Sequence, residues 1–210
     1  MTKRLWFGNL ARSLDNKMGE EGKRTKISNQ QDFGVVHQFR NHLAGIVIGS
    51  NTLVIDNPSL RTKREYVDAG TISHPIPIIF DRRGRLNASH RVLKYLETET
   101  LIHVSNNSSP TLPDTVEVIN FTSLTETVDR INQRLTELGR SGPVMVEGGR
   151  TLLKVMIEMD IVKKVRIFTS DVVYPKSDLR LLFQASHSFH LLSTSQIANG
   201  VEQIFLIRPV

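Results

Sequence analysis

The sequence predicts an α/β protein with a mostly parallel central sheet flanked by helices and antiparallel strands at its carboxyl end. Two observations predict this. Short apolar, β-rich runs alternate with helical periodicities through about residue 169. The last forty residues then hold two strand-like runs, about Ser186–Leu192 and Val201–Ile207, without a helix between them, which favours an antiparallel pair. With 210 residues, no internal repeat and no linker-like stretch, one domain spanning 1–210 is expected, large enough to enclose a small-molecule site.

Taken in order, Leu5–Ala11 reads as the first strand. It ends in the turn-rich Arg12–Lys17, where Asn16 suits a left-handed position. The charged, glycine-bearing Glu20–Lys26 reads as a surface loop. Ser28 is placed to cap a helix with Gln31 as its capping-box partner. Phe33, Val35, Val36 and Phe39 would give that helix an apolar face through about His42. Ala44–Ile48 is a buried strand, followed by Gly49–Leu60, expected as a loop with a fixed turn at Asp56-Asn57-Pro58. Arg61–Arg64 is basic and Glu65–His74 reads as loop. Pro75–Phe80 is a strand ended by Asp81–Arg85, and Ser89–Leu96 a short helix. Leu101–Val104 and Val116–Phe121 are strands joined by the polar loop Ser105–Pro113. Leu124, Val128, Ile131 and Leu135 recur at helical spacing, so Ser123–Leu138 is an amphipathic helix. Val144–Glu147 is a strand, Gly148-Gly149 a turn, Arg150–Met159 a helix and Val162–Thr169 a strand.

Lys and Arg exceed Asp and Glu by 27 − 21 = 6. Such a balance suits anionic partners such as phosphorylated metabolites, a phosphorylated nicotinamide dinucleotide or nucleic acid. A nucleic-acid-binding module is the rival reading. Arg82-Arg83-Gly84-Arg85 suggests it, but aromatics are few and neither a stacking motif nor a recognition-helix pattern is found, so no nucleic-acid partner is expected. The chain has no cysteine, hence no disulfide and no thiolate metal site, and its seven histidines show no metal-binding spacing. No signal-like apolar core opens the sequence and no run is long enough to span a bilayer. A cytoplasmic protein without membrane contact is expected.

Two stretches could carry chemistry. A strand running through Glu147-Gly148-Gly149 into a helix puts backbone N–H groups at a helix start, where phosphate binds, and glycines let it approach. The carboxylate of Glu147 follows a buried run and must find a donor. The loop Thr52–Leu60 opens at the carboxyl end of a strand, where ligands of α/β sheets lie. Cations cluster just past strand and helix ends: Arg40, then Arg61, Lys63 and Arg64, then Arg82, Arg83 and Arg85.

In combination these pieces resemble the reductases of riboflavin biosynthesis, a dihydrofolate-reductase-like family. The matching stretches are Ala11–Lys17, Ile27-Ser28 before a helix ending in Arg40, Gly49–Leu60, Ile79-Phe80-Asp81 with its basic follow-on, and Val146–Leu152. Asn16 stands where the family usually has glycine. The resemblance implies NADPH as cofactor, with Ala11 near the nicotinamide and Thr52 and Asp56 lining the dinucleotide site. It places Gly148, Gly149, Arg150 and Thr151 at the phosphates, and Asp81, Arg82 and Arg83 on the adenosine side, where Arg82 or Arg83 would read the 2′-phosphate. Asn9, Arg40, Leu60, Lys63 and Glu147 fall at substrate-side positions, with Lys63, or Arg64 if the loop shifts, near the substrate's phosphate. Asp56 and Glu147 are the candidate catalytic carboxylates. The implied substrate is 2,5-diamino-6-ribosylamino-4(3H)-pyrimidinone 5′-phosphate, with the deaminated uracil form or another pterin or pyrimidine as the alternative, and family members pair as homodimers.

Overall fold

A computed structural model describes residues 4–20, 22–68, 70–94, 96, 100–107, 111–177 and 187–210. Seven strands form the parallel part of one twisted sheet: β1 (Trp6–Arg12), β2 (Gly45–Gly49), β3 (Ile76–Phe80), β4 (Leu101–Val104), β5 (Val116–Ile119), β6 (Val144–Glu147) and β7 (Val162–Thr169). The hairpin β8 (His187–Ile197) and β9 (Gly200–Pro209) joins antiparallel to β7. The strand order is β5-β4-β3-β2-β6-β1-β7-β9-β8, so β6 and β1 stand at the middle. Ser186 and residues 108–110, expected at a strand start and within a loop, lie outside the described residues.

Side chains alternate across the sheet, and both faces are covered. Val47, Ile78, Val146 and Val165 point to the face packed by α4 (Leu124–Glu137) and α5 (Arg150–Glu158). Ile46, Ile48, Ile79 and Met145 point to the other, packed by α1 (Gln30–Arg40), α2 (Ser50–Asp56) and α3 (Arg91–Lys94). The α4 helix follows its sequence pattern: Ser123 Oγ accepts from the Glu126 amide at 3.2 Å, and Leu124, Val128, Ile131 and Leu135 are buried.

Two expectations are corrected. Residues 50–56 form a helix rather than a loop. Of the apolar trio Leu53-Val54-Ile55 only Leu53 is buried. Asn57 closes the helix in the left-handed conformation (φ 43°), and Pro58 prevents its continuation. The cap of α1 is Asn29, not Ser28: the Asn29 side chain accepts from the Asp32 amide at 2.8 Å. The buried face of α1 is Asp32, Val36 and His37, with Phe33 exposed, so a polar face is turned inward and the apolar periodicity misplaced it. Asn16 does take the left-handed conformation, with φ 64°.

Leu135 is fully buried and Leu14 is 66% exposed. Leu135→Ala is expected to cost about 2–5 kcal/mol, and Leu14→Ala to change stability by less than about 0.5 kcal/mol, both read from urea denaturation midpoints.

Candidate active site

The register of the three central strands places Glu147 of β6, Asn9 of β1 and Arg166 of β7 side by side near the carboxyl ends of the strands. All three point to the face covered by α1. That helix supplies their counter-charges. Arg40 Nη2 donates to Glu147 Oε2 at 2.6 Å, and Arg166 Nη2 donates to Asp32 Oδ1 at 2.5 Å. Arg40 Nη1 also donates to the Arg61 carbonyl at 3.2 Å. Asp32 and Arg40 are eight residues apart, about two helical turns, so one face of α1 carries both. Among the described residues, Arg40 Nε and Glu147 Oε1 are buried without a hydrogen-bond partner.

Beside this row the chain turns from β6 into α5 through Gly148 and Gly149, both with positive φ (69° and 71°). A Cβ on Gly148 would stand 2.9 Å from Thr52 Oγ1, so the turn and the first turn of α2 are in close approach. Helices α1 and α4 are capped by side chains, whereas α2 and α5 start at Gly49 and Gly149 with none. The start of α5 thus lacks a side-chain cap, and a helix start of that kind is where an anionic oxygen is held.

Two adjoining cavities open here, of about 220 Å³ and about 410 Å³. Asn9, Ala11, Thr52, Asp56 and Gly148 line both. Arg40, Leu60 and Glu147 line the smaller, and Gly149, Arg150 and Thr151 the larger. The backbone of Leu60 has φ 58°, unusual for a branched residue, at the cavity wall. Burial pushes the Asp56 carboxyl above its ordinary pKa, with the Arg24 charge pulling the other way. Among the described residues no group of three or more potential ligand side chains is arranged for a metal, and no helix is long and apolar enough to cross a membrane.

Four expected site residues lie off these walls. Asp81 is fully buried. Burial disfavours its charge, but hydrogen bonds from His103 Nε2 (3.2 Å) and the Leu86 amide (2.8 Å) outweigh that and hold its carboxyl below the usual range. Its side chain therefore braces the turn after β3, away from the cavity walls. Arg82 lies over the Phe121 ring at 5.5 Å and Arg83 is exposed. Lys63 is exposed and paired with Glu65 at 3.3 Å. Sequence reading missed Asp32 and Phe33 as wall residues, and the role of Arg85, which donates to Ser50 Oγ (2.9 Å) and Asn51 Oδ1 (2.5 Å). Lys26, in the charged loop before α1, also lines the larger cavity. The one available signal was Asp32 itself, a carboxylate in the first turn of a helix whose polar face turns inward.

The RibD C-terminal domain model matches residues 7–201. The chain belongs to that family. It is 30% identical over 178 residues to the 2,5-diamino-6-ribosylamino-4(3H)-pyrimidinone 5′-phosphate reductase of Methanothermobacter thermautotrophicus, covering 83% of this chain and 81% of that one. Its fold matches Acinetobacter baumannii RibD with a TM-score of 0.83 at 21% identity, over 99% of this chain and 59% of that chain. The chain thus spans about three fifths of that longer protein. Dihydrofolate reductase from Enterococcus faecalis, a complex with NADP(H), matches with a TM-score of 0.57 at 12% identity over 98% of this chain and 98% of that one. The expected dihydrofolate-reductase-like fold is thereby shown.

His37, buried on α1, stacks on Tyr66 at 5.1 Å and accepts the Lys63 amide at Nδ1 (3.2 Å). Burial first, then the charges of Arg40 and Lys63, push its pKa down to about 3. The unfolded chain binds the proton near pH 6.5 and the folded chain does not, so stability falls as pH drops through 6.5 toward 3. Lowering pH from 7.5 to 5 is expected to remove about 1–2 kcal/mol through this group. His37→Asn should flatten that stretch of the stability–pH curve measured by denaturation.

Proposed function

We propose that this chain is an NADPH-dependent reductase of 2,5-diamino-6-ribosylamino-4(3H)-pyrimidinone 5′-phosphate, converting its ribosyl side chain to the ribitylamino product. The observation that carries the reading is the joined cavity. An uncapped, glycine-lined helix start meets a buried Arg40–Glu147 pair with an unused donor and acceptor. One part suits a dinucleotide's phosphates and the other a polyhydroxylated sugar. Family membership and the named relative support the same reaction.

The residues fit a nicotinamide dinucleotide. The first N–H groups of α5, from Gly149 to Thr151, would meet its phosphates, while Gly148 and Thr52 shape the wall. Ala11 is small and lies where both cavities meet, leaving room for a flat ring. The bound cofactor would supply the hydride. Arg40 and Glu147 would orient the sugar's hydroxyls and exclude water from the pair. Asp56, whose carboxyl is harder to ionise than usual, would hold the proton needed when the glycosylamine ring opens. Leu60, on the wall of the smaller cavity, would pack against the pyrimidine. Arg82 and Arg83, free of the cavity walls, are the proposed contacts of the 2′-phosphate. Lys63 would reach the substrate's phosphate only by leaving Glu65.

A single unit over 1–210, acting as a homodimer in the cytoplasm, belongs to the same proposal. In support of pairing, β8 is the last strand at the sheet edge, and Leu191 and Leu192 on it are 53% and 52% exposed. Sedimentation at micromolar concentration should show the dimer.

Loss of reduced-nicotinamide absorbance is expected with the diamino pyrimidine and more weakly with the uracil form. Absence of turnover with both would sink the reading. Glu147→Gln, which leaves the Arg40 charge unpaired, is expected to lower kcat/KM by about 10–100-fold. Replacing Asp56 by Asn should remove the loss of rate that accompanies rising pH through the raised carboxyl pKa.

A further inference from the structure

Arg166 is 3% exposed on β7 and its guanidinium is fully engaged on one side of the site. Nη2 donates to Asp32 Oδ1 at 2.5 Å, Nε donates to Glu202 Oε2 on β9, and Nη1 donates to Asn9 Oδ1 at 2.9 Å. The Phe39 ring lies against the guanidinium, with 5.7 Å between its centroid and Cζ. Two carboxylates from a helix and a hairpin fix one arginine, and that arginine fixes one asparagine.

The consequence is chemical. A guanidinium only donates, so the Asn9 atom facing it must be the carbonyl oxygen. Asn9 Nδ2 is therefore turned away from Arg166, and none of the described residues accepts a hydrogen bond from it. Asn9 is half-buried and lines both cavities. We infer that Arg166 is a positioning residue that locks the Asn9 amide so that its N–H2 faces the cleft as a donor for a carbonyl oxygen of the pyrimidinone ring. The inference rests on the proposed reading and deepens it. With Oδ1 held, Asn9 cannot flip to offer an acceptor, so this wall selects a ring that presents C=O rather than an amino group at that edge.

The test is a double-mutant cycle on the full chain with Asn9→Ala and Arg166→Lys, measuring KM for the pyrimidine, KM for NADPH and kcat. Lysine retains a cation for Asp32 and Glu202 but not the planar fork that also reaches Asn9. Asn9→Ala is expected to raise the pyrimidine KM about tenfold, the loss of one hydrogen bond, with kcat and the NADPH KM within about twofold. Arg166→Lys is expected to raise the same KM by about fivefold or more, and to add nothing in the Asn9→Ala background. Equal effects of Arg166→Lys in both backgrounds would show a general structural role and overturn the inference. So would an Asn9→Ala enzyme with unchanged pyrimidine KM, a result that stands even if Arg166→Lys fails to fold. A wild type that turns over neither pyrimidine overturns the functional reading as well, and wild-type turnover with unchanged Asn9→Ala kinetics overturns this inference alone.

Discussion

The structure depends on two ion pairs that dock α1 across the middle of the sheet. Asp32 near the amino end of the helix meets Arg166 of β7, and Arg40 at its carboxyl end meets Glu147 of β6. The geometry matches. Eight helical residues span about 12 Å, and strands two apart are separated by about 9.5 Å. The order of charges also follows the helix dipole, acidic first and basic last. A helix docked the other way would set Asp32 against Glu147 and Arg40 against Arg166. Buried like charges are costly enough to exclude that arrangement.

This docking is specific rather than strongly stabilising. Desolvating four charges offsets much of their attraction, while removing one partner strands the other at a cost of about 3–5 kcal/mol. The apolar layers under α4 and α5 hold the larger hydrophobic cluster, and the α1 side is where the fold buries polar groups. The Gly148-Gly149 turn is a second concession. It gives up conformational order and a side-chain cap, and it lets Thr52 approach the start of α5 closely.

Most of the sheet was legible in the sequence because its strands are short apolar runs, buried on both faces, with turn residues between them. The helix α4 was legible because its apolar stripe is regular. The helices nearest the site were harder. In α2 the β-branched Val54 and Ile55 face outward, so composition pointed away from helix, and the closing signal was Asn57 before Pro58. In α1 the buried face is polar, and hydrophobic periodicity misses a helix held by ion pairs. Glu147, Arg40 and the glycine turn were legible as chemistry because each stands at the end of an apolar or helical run. Asp32 and Arg166 were not, since their meaning comes only from partners 134 residues apart in the chain. Asp81 follows a strand as a ligand-binding carboxylate would, and its side chain turns inward onto His103.

The most direct test of the account is a crystal structure of the chain with a reduced nicotinamide dinucleotide phosphate and the ribitylamino product bound together. The account predicts both α1 ion pairs intact, the cofactor's phosphates against the first N–H groups of α5, and the sugar-derived chain against Arg40 and Glu147. A complex in which α1 has moved off Arg166 and Glu147, or in which the ligands lie away from Gly148 and Thr52, would contradict it.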